Sequence, residues 1–297
     1  MGRAEEAEWV VGDGAPNYIR YAGPLPASLY RYRSVSAGNI DRIIDFEIIG
    51  EAFFLAALGE LNDPDEGRFR FVLEKDYEAA LAYARAAISE ENPALSGSNL
   101  DRAARKLADT IADSAYTVPD RSTELFRYML AHLVRVACFT TRPLNPAMWA
   151  HYAKYRGPDG TTTDAAGVCI EYGCDEAWRD TTLHPVAYGG PIPGINVLRR
   201  SEEEIVRAIY SKSAEWSYED EWRITYLLDA RPPFPANLAA NARIRNEGAV
   251  KSVIFGPRAP DQMIETFKSR LTPSMPGLAL KRVAIDVHTS DRRIVNL

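Results

Sequence analysis

Three consecutive acids, Glu219, Asp220 and Glu221, stand between two tryptophans in AEWSYEDEWRITYLL, residues 214–228. Carboxylates stabilise developing positive charge and take up protons in hydrolytic and group-transfer chemistry. With the two-residue period of a strand, Glu219, Glu221, Arg223 and Thr225 share one face. Tyr218, Asp220, Trp222, Ile224 and Tyr226 share the other, which packs inward. The two glutamates then stand roughly 6 to 7 Å apart, where like charge raises one pKa and a nearby arginine offsets the repulsion.

Three other stretches carry groups suited to the same chemistry. LYRYRSV, residues 29–35, alternates as a strand, with Leu29, Arg31, Arg33 and Val35 on one face and Tyr30, Tyr32 and Ser34 on the other. Arginine forks grip carboxylates and phosphates in two-point contacts. Phe139 is followed by Thr140 and Thr141. LNPAMWAHYAKYRG is read as a short helix capped by Asn145, with Pro146 in its first turn and Gly157 as its stop. There Trp149 and Ala153 face the core, while His151 and Tyr152 project into a cleft as general acid/base and stacking platform. Asn62-Asp63-Pro64 is first a turn, and Glu171 alternates with Cys169 on a strand.

Composition narrows the function classes. The chain has 297 residues, 46% hydrophobic and 26% charged, with a net charge of −6. That balance gives no global attraction to a phosphate backbone, and nucleic acid is left open as a partner. Cys138, Cys169 and Cys174 lack metal-ligand spacing, as do His132, His151, His184 and His288, so no protein-held metal is expected. No phosphate-binding glycine loop, dinucleotide-binding glycine motif or nucleophile elbow occurs. The start has no signal-peptide pattern and no apolar run spans a bilayer, so a soluble cytoplasmic protein without a membrane partner is expected.

The elements that must position these residues read as an α+β fold. Its sheet is mixed and mostly antiparallel, with a helical insert over about residues 73–135 packed on one side. Residues 1–28 form an irregular arm and 29–297 one domain. YEAALAYARAAISEE, LDRAARKLADTIADSAY and RSTELFRYMLAHLVRV are the helices of the insert, the last capped at Ser122 or Thr123. VACFTTR, GVCIEYG, HPVAYGG, WRITYLL, KSVIFG and LALKRVAIDV are strands, while EEEIVRAIYSKSA and APDQMIETFKSRL are helices.

In order, LYRYRS, ELNDPDEG, ACFTT, AMWAHYA, GVCIEYG, EWSYEDEWR and SVIFGPRA resemble the landmarks of a widespread bacterial family, domain of unknown function 2971. The likeness covers roughly residues 29–271 and implies no assigned activity. A Glu-x-Glu at the start of a strand also resembles the C-terminal signature of ADP-ribosyltransferases. That resemblance implies NAD as substrate, with Glu221 stabilising ribosyl charge as nicotinamide leaves and Glu219 activating the acceptor. It further implies Arg31 or Arg33 on the pyrophosphate, Thr140 and Thr141 in the middle motif, and Trp149 or Tyr152 stacked on nicotinamide. The partners would be a small nucleotide and a macromolecular acceptor, in a bacterial toxin or defence effector. Two other readings stand beside it. One is a non-catalytic sensing or interaction domain in which Arg31 and Arg33 pair with Glu219 and Glu221. The other is a metal-dependent nuclease using Asp63, Asp65, Glu66 and the glutamate pair.

Overall fold

A computed structural model describes residues 21, 23–73, 76–113, 120–198, 202–227, 242–245 and 250–297. Most of the expected N-terminal arm lies outside the described residues. The fold is α+β, built on a ten-stranded sheet. In chain order its strands are β1 (Ser28–Arg33), β2 (Ala52–Ala57), β3 (Val134–Thr140), β4 (Val168–Gly173), β5 (His184–Pro185), β6 (Glu221–Leu227), β7 (Ala242–Arg245), β8 (Val250–Phe255), β9 (Ala279–Ile285) and β10 (Arg292–Asn296). The order across the sheet is β7-β2-β3-β1-β4-β8-β9-β10, and β6 joins β3 to β5. Among the described residues of this sheet only β8 and β9 pair in parallel; the helix between them, Asp261–Ser274, provides the crossover that parallel strands require.

The helical insert is present as α1 (Tyr77–Glu91), α2 (Gly97–Asp113) and α3 (Asp120–Leu133). Asp76 caps α1 by accepting the Glu78 amide at 3.0 Å. Buried Ala80, Ala84, Ala104 and Ala108 let α1 and α2 approach closely. α3 begins before the expected caps, so Ser122 and Thr123 lie inside it. It also ends earlier than its helical pattern suggests, because β-branched Val134 and Val136 enter β3 and pair along β6. Among the described residues no helix is long and apolar enough to cross a membrane.

The alternation read in β1 is present. Leu29 joins the main apolar core with Phe53, Phe139, Trp222 and Ile224, whereas Tyr32 packs on the other side with Met148 and Trp149. A π-helical segment, Arg42–Ile49, covers the Leu29 side and buries Ile43, Ile44, Glu47 and Ile48.

Candidate functional site

β3 organises the site because its two edges are used differently. One edge pairs with β6 from end to end, Val134 with Leu227 through Thr140 with Glu221. The other is shared, with Arg135 and Val136 pairing to β2 and Thr140 to β1 at Tyr30. Between those contacts β1 and β2 part. A cavity of about 230 Å³ occupies the split, and Arg31, Arg33, Thr140, Tyr152, Glu219 and Glu221 are among its lining residues.

The two glutamates arrive by different routes. Glu221 is the first residue of β6 and shares a face with Arg223, as the period-two reading requires. Glu219 is not on the strand. It ends a 3₁₀ turn, Ala214–Glu219, and Asp220 follows with φ 46° and ψ 53°. Asp tolerates this left-handed conformation better than most residues, and its carboxylate accepts the Thr141 hydroxyl. The turn therefore overrides the strand period for Glu219 and still delivers it, 3% exposed, to the cavity.

A buried charge network fixes both carboxylates. Arg223 Nε and Nη2 donate to Glu221 at 2.8 and 3.0 Å, and its two terminal nitrogens donate to Glu66 at 2.6 and 2.9 Å. Lys212 Nζ donates to Glu219 at 2.6 Å and to Glu221 at 3.3 Å, and lies 3.9 Å from Glu66. The Tyr152 hydroxyl donates to the other Glu219 oxygen. Thr140 secures the same turn by donating its hydroxyl to the Glu219 carbonyl at 2.5 Å. Asn145, whose side chain caps the helix Pro146–Tyr152, donates to the Tyr218 carbonyl at 2.6 Å and locks that helix onto the turn.

Three carboxylates thus face two cations, leaving one excess negative charge. Burial opposes ionisation of Glu221, but Arg223 and Lys212 outweigh it and hold this carboxyl below its ordinary value. The raised carboxyl is instead Glu66, lifted by burial and by the charge of Glu221 against the pull of Arg223 and Lys212. Burial opposes the Lys212 charge, yet the surrounding carboxylates raise its pKa. Burial and then the Glu219 carboxylate raise the Tyr152 phenol, keeping it a donor.

Arg31 and Arg33 do not pair with Glu219 or Glu221. Arg31 Nη2 bridges the split by donating to the Phe54 carbonyl at 2.5 Å, with its guanidinium 5.8 Å from the Phe139 ring centre. Arg33 pairs with Glu47 at 2.7 Å. The expected cross-strand pairs fail because both arginines share the Leu29 face of β1, where the π-helical segment supplies Glu47.

Three expected site residues lie elsewhere. Trp149, 1% exposed, is a core side chain whose indole donates to the Pro143 carbonyl at 2.8 Å and meets Tyr32 edge-on. His151 is exposed, its ring 6.4 Å from that of Tyr218, and does not line the cavity. Thr141 binds Asp220 beside the cavity, outside its lining. Glu171 also stands apart, accepting from Ser28, Tyr30, Ser252 and Lys281. Asp63 caps its own turn at the Asp65 amide, and Asp65 faces Arg68 at the surface. Among the described residues no group of His, Cys, Asp and Glu is placed to hold a metal ion.

Lys212 was not legible as a site residue. Its segment reads as the end of a helix, but the helix stops at Ile209 and Ser211–Lys212 forms a two-residue parallel pairing with Ala187–Tyr188. Compared with known proteins, the chain matches no family model, no curated protein and no solved structure.

Proposed function

We propose that the protein is an ADP-ribosyltransferase-like enzyme that binds NAD and breaks its nicotinamide–ribose bond. One observation carries this reading: a carboxylate network with one excess negative charge and an arginine pair served by a single carboxylate contribute to one cavity. The bond electrons leave with nicotinamide, and the positive charge left on the ribose carbon is stabilised by the Glu219/Glu221 side. The pyrophosphate takes the Arg31/Arg33 side. Tyr152, half-buried at the cavity wall, offers its ring to nicotinamide and its hydroxyl to orient Glu219. The incoming acceptor, water or a macromolecular nucleophile, bonds to the ribose carbon and gives its proton to Glu219 or to solvent.

The motif series supports placing the chain with the domain of unknown function 2971 family, as a toxin or defence effector acting on cytoplasmic NAD. The test is nicotinamide release from NAD by the full chain, with or without labelling of a target. Wild type releases nicotinamide and Glu219→Gln does not, while the two melt at similar temperatures. No release by wild type, alone or with cell extract as acceptor source, removes the reading.

The second reading, a non-catalytic domain, is favoured by Arg223, which spends donors on two glutamates and on the Ile209 carbonyl at 2.6 Å. It predicts that Glu219 and Glu221 substitutions change stability alone.

A further inference from the structure

β10 ends the sheet, and among the described residues no strand pairs with its outer edge. Two main-chain bonds bracket its hairpin with β9 and fix which groups face inward. The Leu297 amide donates to the Leu280 carbonyl at 3.0 Å, and the Asp286 amide donates to the Asp291 carbonyl at 2.8 Å. Bonded pairs alternate along an antiparallel ladder. With Val295 opposite Arg282 and Arg293 opposite Ala284, the main-chain groups of Arg293 and Val295 therefore face β9. Those of Arg292, Ile294 and Asn296 turn outward, to an open edge ready for another strand.

The side chains leave this edge open to one kind of partner. The strand has no proline, and its register with β9 runs without a bulge. Among the described residues seven large apolar side chains are exposed, and three of them, Ile285, Val287 and Leu297, lie on or beside this hairpin. Arg292 and Arg293 are consecutive, so they project from opposite faces of the strand. Among the described residues neither enters an ion pair or a side-chain hydrogen bond. The charges around them are already engaged. Lys281 holds Glu171, and Arg282 faces Asp261. Asp286 accepts the His288 and Thr289 amides, and Asp291 accepts the Thr289 hydroxyl, both within the hairpin turn.

We infer that β10 is a docking edge for an extended acidic segment of another protein, which joins the sheet as an added strand. Strand addition draws affinity from main-chain bonds and specificity from side chains. Here Arg292, Ile294 and Asn296 supply the bonds, and the two arginines supply the specificity. Because the arginines leave opposite faces, the partner needs two adjacent acids, with an apolar residue against Ile294. A second copy of the chain fits less well. Two β10 strands paired antiparallel about Ile294 bring both Arg293 side chains to diagonal positions and offer neither an acid, and like charge across a ladder opposes pairing. This edge lies outside the cavity lining and does not rest on the proposed activity.

The experiment is fluorescence anisotropy of a labelled, end-blocked peptide titrated with the full chain. The peptide, about seven residues of threonine and valine with two adjacent glutamates at its centre, has the strand propensity and charge the edge requires. Wild type binds it about tenfold or more tightly than the same peptide with glutamines. Arg293→Glu, a change at an exposed side chain, weakens the glutamate peptide by a similar factor while the melting temperature stays near that of wild type. Arg102→Glu, an exposed charge on α2, changes neither. N-methylating the peptide amides removes their donors and abolishes binding, which charge attraction alone would not do. The assignment is overturned by no binding to wild type at millimolar peptide, or by equal affinity for the glutamate and glutamine peptides. It is also overturned by an equal loss in Arg102→Glu, or by undiminished binding of the N-methylated peptide. Sedimentation that shows a dimer broken by Arg293→Glu gives the edge to a second copy and overturns the acidic partner.

Discussion

Arg223 holds Glu66 with two parallel hydrogen bonds, 2.6 and 2.9 Å, across 157 residues of chain, and neither side chain is more than 3% exposed. The same guanidinium holds Glu221, so one cation ties the turn after β2 to β6 and sets the carboxylate wall of the cavity. Replacing Arg223 with methionine leaves two buried carboxylates short of a partner. The expected loss is about 3–5 kcal/mol of folding stability, the range for breaking a buried ion pair from one side. Urea denaturation of wild type and Arg223→Met measures it. Arg223→Lys recovers only part, because an ammonium cannot reproduce the two-point contact with both glutamates.

Glu66 and Glu221 give opposite pH dependences. Glu221 lies below its ordinary value of 4.5, so its contribution is present above about that pH and is lost as pH falls below it. Glu66 lies above its ordinary 4.5, so the stabilisation it adds is present below that value and is lost as pH rises through its folded-state pKa. Between neutral pH and about 4.5, wild type should gain stability relative to Glu66→Gln as the solution is acidified. Below about 4.5 it should lose stability relative to Glu221→Gln. Chemical denaturation at several pH values tests both signs, and parallel curves for the three proteins would refute the assignment.

Tyr152 separates a catalytic from a structural role for Glu219. Tyr152→Phe removes one hydrogen bond to the carboxylate and keeps the ring, at a stability cost of about 0.5–1.5 kcal/mol, or up to about 3 where a charge-assisted bond is lost. In the NAD reading the freed carboxylate loses orientation, so kcat for nicotinamide release falls while KM, set by the ring and the arginines, changes little. Steady-state kinetics and a melting curve on the same preparation give the comparison. Equal changes in kcat and KM would argue against an orienting hydroxyl.

The readable parts of this site were those governed by local period. Arg31 and Arg33 share a face of β1, and Glu221 shares one with Arg223, because each pair lies within a single strand. Glu219 escaped the period because one left-handed residue, Asp220, converts the expected strand start into a turn. Glu47 and Lys212 were hidden for a different reason. Glu47 is placed by a π-helical segment whose spacing differs from the α-helical one, and Lys212 by pairing to Tyr188. Neither geometry leaves a mark in nearby sequence. Trp149 and His151 show the converse, since a helical face can be read while its choice of neighbour cannot. The core took Trp149, as its spacing with Ala153 implies and the stacking role drawn from the resemblance does not, and solvent took His151.

Gly167 tests whether the cavity wall depends on close backbone approach. It precedes β4, and its amide donates to the Ala153 carbonyl at 2.8 Å. A Cβ here would sit 2.4 Å from the Arg33 carbonyl oxygen and 2.8 Å from the Ala153 carbonyl carbon, both backbone atoms with little freedom to yield. Gly167→Ala must therefore push apart β1, which carries Arg31 and Arg33, and the chain leaving the helix that carries Tyr152. The expected cost is about 1–3 kcal/mol, the range for overpacking a filled interior. Ligand binding should weaken with it, because the arginines and Tyr152 move relative to one another. Gly160→Ala serves as comparison: its Cβ meets no atom within 4 Å, and the penalty there comes from its φ of +82° alone. A melting-temperature series with matched pyrophosphate titrations should show Gly167→Ala losing both stability and affinity, and Gly160→Ala losing stability only.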